Sequence, residues 1–474
     1  NITLGKAGSC ITSGSNNIAI GGAANMSTGN VTGDANISMG PYTGRRLTSG
    51  GYNTFISGSA GRYTTTGSRN VFIGIFAGYC NVSGGCNVAI GCNAGRGSAA
   101  AFDNISMGRA ALYLNGIGSG NVAIGHSSSY GLRGSDNVSI GATSGPADSC
   151  SDTHDNIFIG RCTGTSRTSG CFNIVMGTCS GSANHTGGGV GSYNISFGHL
   201  SGHNLTTASN TISIGCRAGR STTCGQGNIY LGNNAAGNQT GGSGNIVIGN
   251  NAAPDSTFFQ NIIAIGCCSA TSGFGSNDGN GGIAMGNCAA RFATTDVLAI
   301  GANAGCQTTG AQNTFMGVNT GLKNTSGCYN TFLGFTAGSV NTTGCCNTFV
   351  GRGAGGGFQT GNANVSLGMC SGPQGTNASG CHNFTGGYKS GNALTTGSHN
   401  VIIGRCAGAA KTSGCSSVFI GHCAGVNAGT ATSAIVIGAC AGKCFSPSLN
   451  QHGSGYGNIF IGEYAGKCVT TGIV

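Results

Sequence analysis

Short runs of three residues, mostly aliphatic at the first and third positions, recur along the whole chain between an Asn and a Gly. Residues 87–91 (NVAIG) and residues 330–334 (NTFLG) are two copies. The Gly most often returns after 17 residues, as at Gly74, Gly91 and Gly108. Because side chains alternate between the two faces of a strand, each run predicts a short strand. We expect its first and third residues to face a core and its variable middle residue to face solvent.

The residues between these runs are typical of tight turns. A small residue and a second Gly follow the first Gly, as in Ala94-Gly95, and a Thr-rich segment such as residues 64–67 comes later. One such coil cannot bury its own apolar face, but stacked coils bury it against their neighbours. The sequence therefore predicts an all-β fold, one continuous β-solenoid over residues 1–474 with about 27 coils of about 17 residues each. We expect no separate caps, and loop insertions near residues 22–35, 146–155, 182–193, 273–281 and 443–457.

Composition agrees with a repeat protein and argues against an ordinary globular, collagenous or disordered chain. Of the 474 residues, 95 are Gly and only 6% are charged, whereas a globular domain carries about 25% charged residues and about 7% Gly. The Gly residues lack the three-residue period of collagen. A hydrophobic content of 38% is too high, and too regularly placed, for a disordered chain.

The net charge of +10 is spread thinly over the chain. The densest basic spot is Arg45-Arg46, and the sequence shows no stripe that combines basic and aromatic residues. Nucleic-acid binding requires clustered Lys and Arg, so we expect no nucleic-acid partner. No run of 18 apolar residues occurs, and we therefore expect no membrane insertion.

Catalysis is not expected from this sequence. Solenoid enzymes that cleave polysaccharides need paired carboxylates, or carboxylates beside Lys or Arg, and this chain has only ten acidic residues. Asp148, Asp152 and Asp155 form their one cluster, with His154 and Cys150, inside a predicted insertion. We interpret this cluster as a solvated loop. No Cys-x-x-Cys pair is present, and neither a metal nor a cofactor is expected.

Twenty-five cysteines point to an oxidising compartment, and so to an extracellular location or a cell or virion surface. The cysteines prefer two positions of the repeat, two residues after the Gly and six residues before it. Stacked coils would bring such residues within disulfide range. A pairing between coils competes with one inside a coil, as in Cys162 with Cys171, and with a ladder of free thiols. The disulfide candidates are Cys162, Cys171, Cys179, Cys328, Cys345, Cys406, Cys415, Cys423 and Cys440.

Asparagine has two expected roles. The Asn that begins each repeat is predicted to stack on its counterparts as a ladder, its amide bonding to the next coil. Other Asn-x-Ser/Thr sequences fall in the turn region and could carry N-linked glycan in a secretory host. The glycosylation candidates are Asn81, Asn204, Asn238, Asn324 and Asn341.

The variable middle position of the strand is Phe in several neighbouring coils. Since we expect this position to face solvent, the Phe residues would form exposed aromatic stripes, which usually mark an interface. Lateral packing onto another solenoid is the first interpretation, and a carbohydrate-binding face is the second. The lateral-interface candidates are Phe55, Phe72, Phe315, Phe332 and Phe349.

Three segments, residues 53–56 (NTFI), 313–317 (NTFMG) and 347–351 (NTFVG), carry a resemblance to known repeats. The pattern, which covers essentially the whole chain, resembles the Gly- and Asn-rich NTFIG-x-x-AG repeats of phage tail-fibre-like and bacterial surface proteins. More distantly it is similar to the β-solenoid heads of trimeric autotransporter adhesins. The resemblance implies a fibrous, surface-exposed protein, with a trimer as one assembly state.

The two ends of the sequence predict a subunit junction. Gly462 is followed by 12 residues and the first Gly is the fifth residue, so the two pieces together make one period of 17. We expect a structural subunit of an extracellular filament that stacks head to tail on itself and is stapled by disulfides; a segment of a longer repeat protein gives the same arithmetic. The alternative function is a surface adhesin or receptor-binding fibre with a surface glycan as ligand. The junction candidates are Asn1, Ile2, Leu4, Ile459, Ile461 and Val474.

Overall fold

A computed structural model describes residues 1–24, 30–146, 153–165, 169–182, 191–255, 257–272, 281–293, 296–375, 377–445, 457–467 and 469. In these residues the secondary structure is all β, with 27 strands and no helix. The chain divides into two compact units, Asn1–Ser243 and Gly244–Val474. We describe each unit by itself.

The first unit contains fourteen strands of three residues each. They are β1 (Ile2–Leu4), β2 (Ile18–Ile20), β3 (Ile37–Met39), β4 (Thr54–Ile56), β5 (Val71–Ile73), β6 (Val88–Ile90), β7 (Ile105–Met107), β8 (Val122–Ile124), β9 (Val138–Ile140), β10 (Ile157–Ile159), β11 (Ile174–Met176), β12 (Ile195–Phe197), β13 (Ile212–Ile214) and β14 (Ile229–Leu231).

The second unit contains thirteen strands of three or four residues. They are β15 (Ile246–Ile248), β16 (Ile263–Ile265), β17 (Ile283–Met285), β18 (Val297–Ile300), β19 (Asn313–Met316), β20 (Thr331–Leu333), β21 (Thr348–Val350), β22 (Val365–Leu367), β23 (Phe384–Gly386), β24 (Val401–Ile403), β25 (Val418–Ile420), β26 (Ile435–Ile437) and β27 (Ile459–Ile461).

Within each unit every strand pairs in parallel with the strands of the neighbouring turns. The register joins equivalent positions, so that Val71 lies opposite Val88 and Phe72 lies opposite Ala89. The turns continue this pairing outside the strands: the Cys80 amide, for example, donates to the carbonyl of Arg96 at 2.9 Å. This arrangement confirms the predicted β-solenoid, with one strand per turn and about 17 residues per turn.

The predicted direction of the strand side chains is wrong. The middle residue of the strand faces the core, whereas the first and third residues face outward, as in Val71 and Ile73 around the buried Phe72. The five Phe residues predicted to form a lateral interface are at most 1% exposed and therefore cannot contact a partner. They are Phe55, Phe72, Phe315, Phe332 and Phe349.

The turn geometry explains this inversion. Opposite the strand, the backbone closes over the middle residue with a small residue and a Gly, such as Ala77 and Gly78. Gly78 has a φ of +56°, and a Cβ there would overlap the ring of Phe72. The missing side chain leaves the space that the ring fills. Phe rings of adjacent turns then stack inside the core, with centroids 5.3 Å apart for Phe55 and Phe72.

The predicted Asn ladder is confirmed. Asn70 Oδ1 accepts hydrogen bonds from the backbone amide of Asn87 at 3.0 Å and from its Nδ2 at 3.1 Å. Asn70 Nδ2 donates to Asn53 Oδ1 at 3.1 Å and to the Gly84 carbonyl at 2.9 Å. The same pattern repeats at Asn104 and elsewhere. A fully buried amide thereby has all of its hydrogen-bonding groups satisfied by the turns above and below it.

The predicted loop insertions fall largely on residues that lie outside the described part of the chain. These residues are 25–29, 147–152, 183–190, 273–280 and 446–456.

Candidate interaction surfaces

The first and third strand residues of successive turns form two parallel columns on the outside of the solenoid. We call this surface the outer aliphatic face. Its side chains are mainly Ile, Val, Leu, Met and Thr, and none of the described strands of either unit contains a charged residue. Individual side chains remain partly open to solvent. Met176 is 36% and Leu333 is 43% exposed, many of the others are less exposed, and those of the first and last strands are more exposed. The face is therefore a continuous, uncharged, apolar surface in each unit.

A second surface lies on the turns that follow the strands in the first unit. It contains Arg and aromatic side chains stacked over six successive turns, and we call it the arginine–tyrosine column. Its members are Tyr42, Arg45, Arg46, Arg62, Tyr63, Phe76, Tyr79, Arg96, Tyr113 and Tyr130.

Guanidinium groups cover the faces of the rings in this column. The Arg46 guanidinium lies 4.4 Å from the centroid of the Tyr63 ring, in the next turn. The Arg96 guanidinium lies 5.3 Å from the Tyr79 ring and 5.3 Å from the Tyr113 ring. Arg96 Nη1 also donates to Tyr113 Oη at 2.8 Å. Each contact is a cation–π interaction worth about 0.5–1 kcal/mol at an exposed site.

The rings of the column also contact one another. Tyr63 and Tyr79 meet edge to face with centroids 4.9 Å apart, and Tyr113 and Tyr130 stack at 4.8 Å. Burial raises the pKa of the Tyr79 phenol, a hydrogen bond with Tyr63 raises it further, and the charge of Arg62 opposes the rise. The Tyr79 phenol is therefore neutral near pH 7.

This column shows that the expected absence of a stripe of basic and aromatic residues is wrong. Its members are about 17 residues apart in the sequence, and only the stacking of turns brings them together. The signal that would have found them is their shared position, five or six residues after the Gly, as in Arg62, Tyr79, Arg96 and Tyr113. A long cluster of neighbours along the chain, the usual sign of such a stripe, is missing here because each turn contributes only one to three members.

Cysteines at one position of the repeat lie in successive turns, as do Cys406, Cys423 and Cys440, and we call each such set a cysteine column. Burial raises the pKa of the Cys423 thiol, and the thiols of Cys406 and Cys440 raise it further, against the opposing charges of Lys443 and Arg405. Burial, and then contact with the thiol of the preceding turn, likewise raises the pKa of Cys179. Disulfides among the candidate cysteines stay a prediction.

The cysteines six residues before the Gly have a defined contact. Cys345 Sγ accepts a hydrogen bond from the backbone amide of Cys328 at 3.1 Å. Ser68 occupies the same repeat position, and its Oγ accepts from the Gly51 amide at 3.1 Å. At this position a thiol therefore replaces a hydroxyl as the acceptor that joins two turns.

Three of the five glycosylation candidates are wrong for the folded chain. Asn81, Asn324 and Asn341 are at most 1% exposed. Their Nδ2 atoms donate to Gly carbonyls three residues ahead, at 2.9–3.0 Å. No space remains there for a glycan. Asn238 is exposed and Asn204 is partly exposed, and glycosylation of these two stays a prediction.

The predicted junction residues lie on the first and last strands. Ile2 and Leu4 are 56% and 57% exposed, and Ile459 and Ile461 are 61% and 65% exposed. Asn1 is exposed as well, although its Oδ1 accepts from the Asn17 amide and so begins the Asn ladder. Val474 lies outside the described residues.

The acidic cluster is only partly described. His154 Nδ1 and Asp155 Oδ2 are 2.9 Å apart, and both residues line an open surface depression of about 370 Å³. Asp148, Cys150 and Asp152 lie outside the described residues. In the described part of the chain no three His, Cys, Asp or Glu side chains are grouped as metal ligands. The same residues include no helix with the length and apolarity needed to span a bilayer.

Comparisons with known proteins identify no relative. No family model, no curated protein and no solved structure matches this chain. The surfaces described above therefore carry the functional argument.

Proposed function

We propose that this chain is a structural fibre protein of the extracellular space or of a cell or virion surface, and that its solenoids associate side by side through the outer aliphatic face. The observation that carries this proposal is the uncharged pair of aliphatic columns on the outside of the solenoid. In a chain with a net charge of +10, a long surface without charge is where two copies can approach without repulsion.

The size of the face supports the proposal. Fourteen strands of the first unit each present two side chains that are partly exposed. Together they offer on the order of 1,500 Å² of mainly apolar surface, against about 300–600 Å² for the largest patch on a typical monomer. A stable interface needs about 800 Å² from each partner. The face is therefore large enough for a permanent contact.

The periodicity of the face favours a second copy of the chain as its partner. The side chains repeat at the spacing of the turns, about 4.8 Å. Only another solenoid of the same repeat keeps ridges and grooves matched over many turns. Two such faces would pack as two sheets do, about 10 Å apart.

End-to-end growth is the second part of the proposal. Successive turns are equivalent in register and in their backbone hydrogen bonds, so one more turn from another chain fits the same pattern. Head-to-tail stacking of this kind does not close on itself and generates a filament. Disulfides within the cysteine columns would cross-link successive turns.

The alternative function is a surface adhesin or receptor-binding fibre. The arginine–tyrosine column favours it, because the column gives one face of the first unit a chemistry that a purely structural rod does not need.

The proposal is tested with the purified chain by sedimentation velocity and negative-stain electron microscopy. Met107→Lys with Leu333→Lys places one charge on the outer aliphatic face of each unit. The matched control, Ile117→Lys with Phe335→Lys, places one charge per unit on exposed residues off the face, which are 76% and 50% exposed.

We expect the wild type and the control to form paired or bundled rods, and the face variant to form single rods. End-to-end growth would appear as filaments longer than one chain in all three samples. A monomeric wild type at every concentration, or equal loss of association in the control, would contradict the lateral contact. Isolated rods of one fixed length would remove the head-to-tail part.

A further inference from the structure

We propose that the arginine–tyrosine column of the first unit is a binding site for an acidic polysaccharide. The column runs parallel to the solenoid axis, from Tyr42 to Tyr130, over six turns. At about 4.8 Å per turn it is roughly 25 Å long. A site of this shape suits an extended polymer with repeated anionic groups better than a small ligand.

The charge of the column is not neutralised by the protein. Arg45, Arg46, Arg62 and Arg96 lie within four successive turns, yet the only ion pair among the described residues is His154 with Asp155. Stacked like charges repel one another, and the cation–π contacts offset only part of that cost. Sulfate or carboxylate groups along a ligand would remove the repulsion and form charge-assisted hydrogen bonds.

The column also offers hydrogen-bond donors. A guanidinium group has five N–H donors, and Arg62 uses one nitrogen, Nη1, on Tyr79 Oη at 3.4 Å. Arg96 Nη1 donates to Asn93 Oδ1 at 3.2 Å as well as to Tyr113. Within the described residues the other guanidinium nitrogens of these two side chains have no protein acceptor. Fixed in place by the rings, they are preorganised donors for anionic oxygens.

The arrangement of the rings favours a polysaccharide over a single-stranded nucleic acid. Proteins that bind single strands stack bases on open aromatic faces. Here Arg46 lies over the ring of Tyr63, and Tyr113 and Tyr130 stack directly on each other. A base would have to separate these pairs. The side chains of Arg62, Arg96 and Tyr113 are partly exposed, and guanidinium and phenol groups match carboxylate, sulfate and sugar hydroxyl groups.

Binding to the full chain tests the proposal, with heparin as a sulfated probe, polygalacturonate as a carboxylated probe, dextran as a neutral probe and a single-stranded oligo-dT. Arg62→Gln with Arg96→Gln removes two charges from the column. Arg352→Gln with Arg405→Gln, two exposed residues of the second unit, removes the same charge elsewhere. Circular dichroism and thermal unfolding show whether each variant is folded.

We expect one or both acidic polysaccharides to bind the wild type at about 0.1 M salt, and the column variant to bind at least about tenfold more weakly, equivalent to 1.4 kcal/mol. The control should stay within about twofold. The difference between heparin and polygalacturonate identifies the anionic group. Equal loss in the control, binding of neither acidic polysaccharide, or tighter binding of oligo-dT would overturn the proposal.

A second measurement covers the case in which the column variant does not fold. Phenylglyoxal modifies accessible arginines, and mass spectrometry locates the modified residues. Bound polysaccharide should slow the modification of Arg62 and Arg96 in the wild type and leave Arg352 unchanged. Equal modification with and without polysaccharide would mean that the stacked rings serve only the stability of the turns. Because this readout does not require association between chains, it can fail independently of the proposed fibre.

Discussion

The inverted strand is tested most directly by two substitutions at neighbouring positions of β20. Phe332 is 0% exposed, and its ring lies 4.7 Å from the ring of Phe349 and 5.4 Å from that of Phe315. Leu333, the next residue, is 43% exposed on the outer aliphatic face. Phe332→Ala empties a ring-sized space in the core and should cost about 3–5 kcal/mol. Leu333→Ala removes a side chain that is only about half-buried and should cost about 1 kcal/mol.

The measurement must be local because repeat proteins open in segments and need not unfold in one step. Hydrogen exchange with mass spectrometry, on peptides that span β19 to β21, reports the free energy of opening of these turns. At about 1.4 kcal/mol per factor of ten, Phe332→Ala should accelerate exchange by more than about a hundredfold. Leu333→Ala should accelerate it only a few-fold. Dilute samples keep lateral contacts from protecting the leucine.

An equal effect of the two substitutions, or a larger effect of Leu333→Ala, would refute the assignment of the middle residue to the core. Phe332→Leu serves as a further control. It keeps an apolar side chain in the same space and should recover much of the protection that Phe332→Ala loses.

Three other predictions concern polar side chains, buried or exposed. Lys411 is 0% exposed, and burial lowers the pKa of its ammonium group to about 8. As the pH rises, the folded chain therefore loses the Lys411 proton at a lower pH than the unfolded chain does, and the folded state gains stability. In urea unfolding, the free energy of unfolding of the wild type relative to that of Lys411→Met should rise by about 3 kcal/mol between pH 8 and 10.5. A flat difference would contradict the lowered pKa. Asn70→Ala leaves buried partners in two neighbouring turns unpaired and should lower the local free energy of opening, measured by hydrogen exchange, by about 3 kcal/mol. Asn238→Ala changes an exposed residue and should lower it by less than about 0.5 kcal/mol. Similar values for both would contradict the ladder. Glycopeptide mapping of folded protein from a secretory host should find glycan at Asn238 and none at Asn81, and glycan at Asn81 would contradict its burial.

Part of the site could be predicted from the sequence because it depends on the repeat alone. The Asn ladder follows from an Asn at a fixed position, since equal spacing places each amide over the last, as with Asn53, Asn70 and Asn87. The alignment of Cys406, Cys423 and Cys440 follows in the same way. The burial of Asn81 could not be predicted, because an Asn-x-Ser/Thr sequence reads the same whether its Asn lies inside or outside the turn.

The sequence by itself determined the period, the single strand per turn and the stacking of like residue over like residue. Strand alternation also established that Phe72 lies opposite in direction to Val71 and Ile73. It could not determine which direction is inward, because an alternating pattern is unchanged when the two faces are exchanged. The general rule that the constant aliphatic positions are the core gave the wrong answer.

Only the tertiary structure determined which strand side chains face the core and which face outward. The chain closes each turn over the middle residue, and Gly78 leaves room there for one side chain, which is that of Phe72. The Ile and Val columns are consequently left on the surface. Closure also brings Arg62, Tyr79 and Arg96 together across turns, and this contact depends on the pitch of the solenoid, which no local stretch of sequence contains.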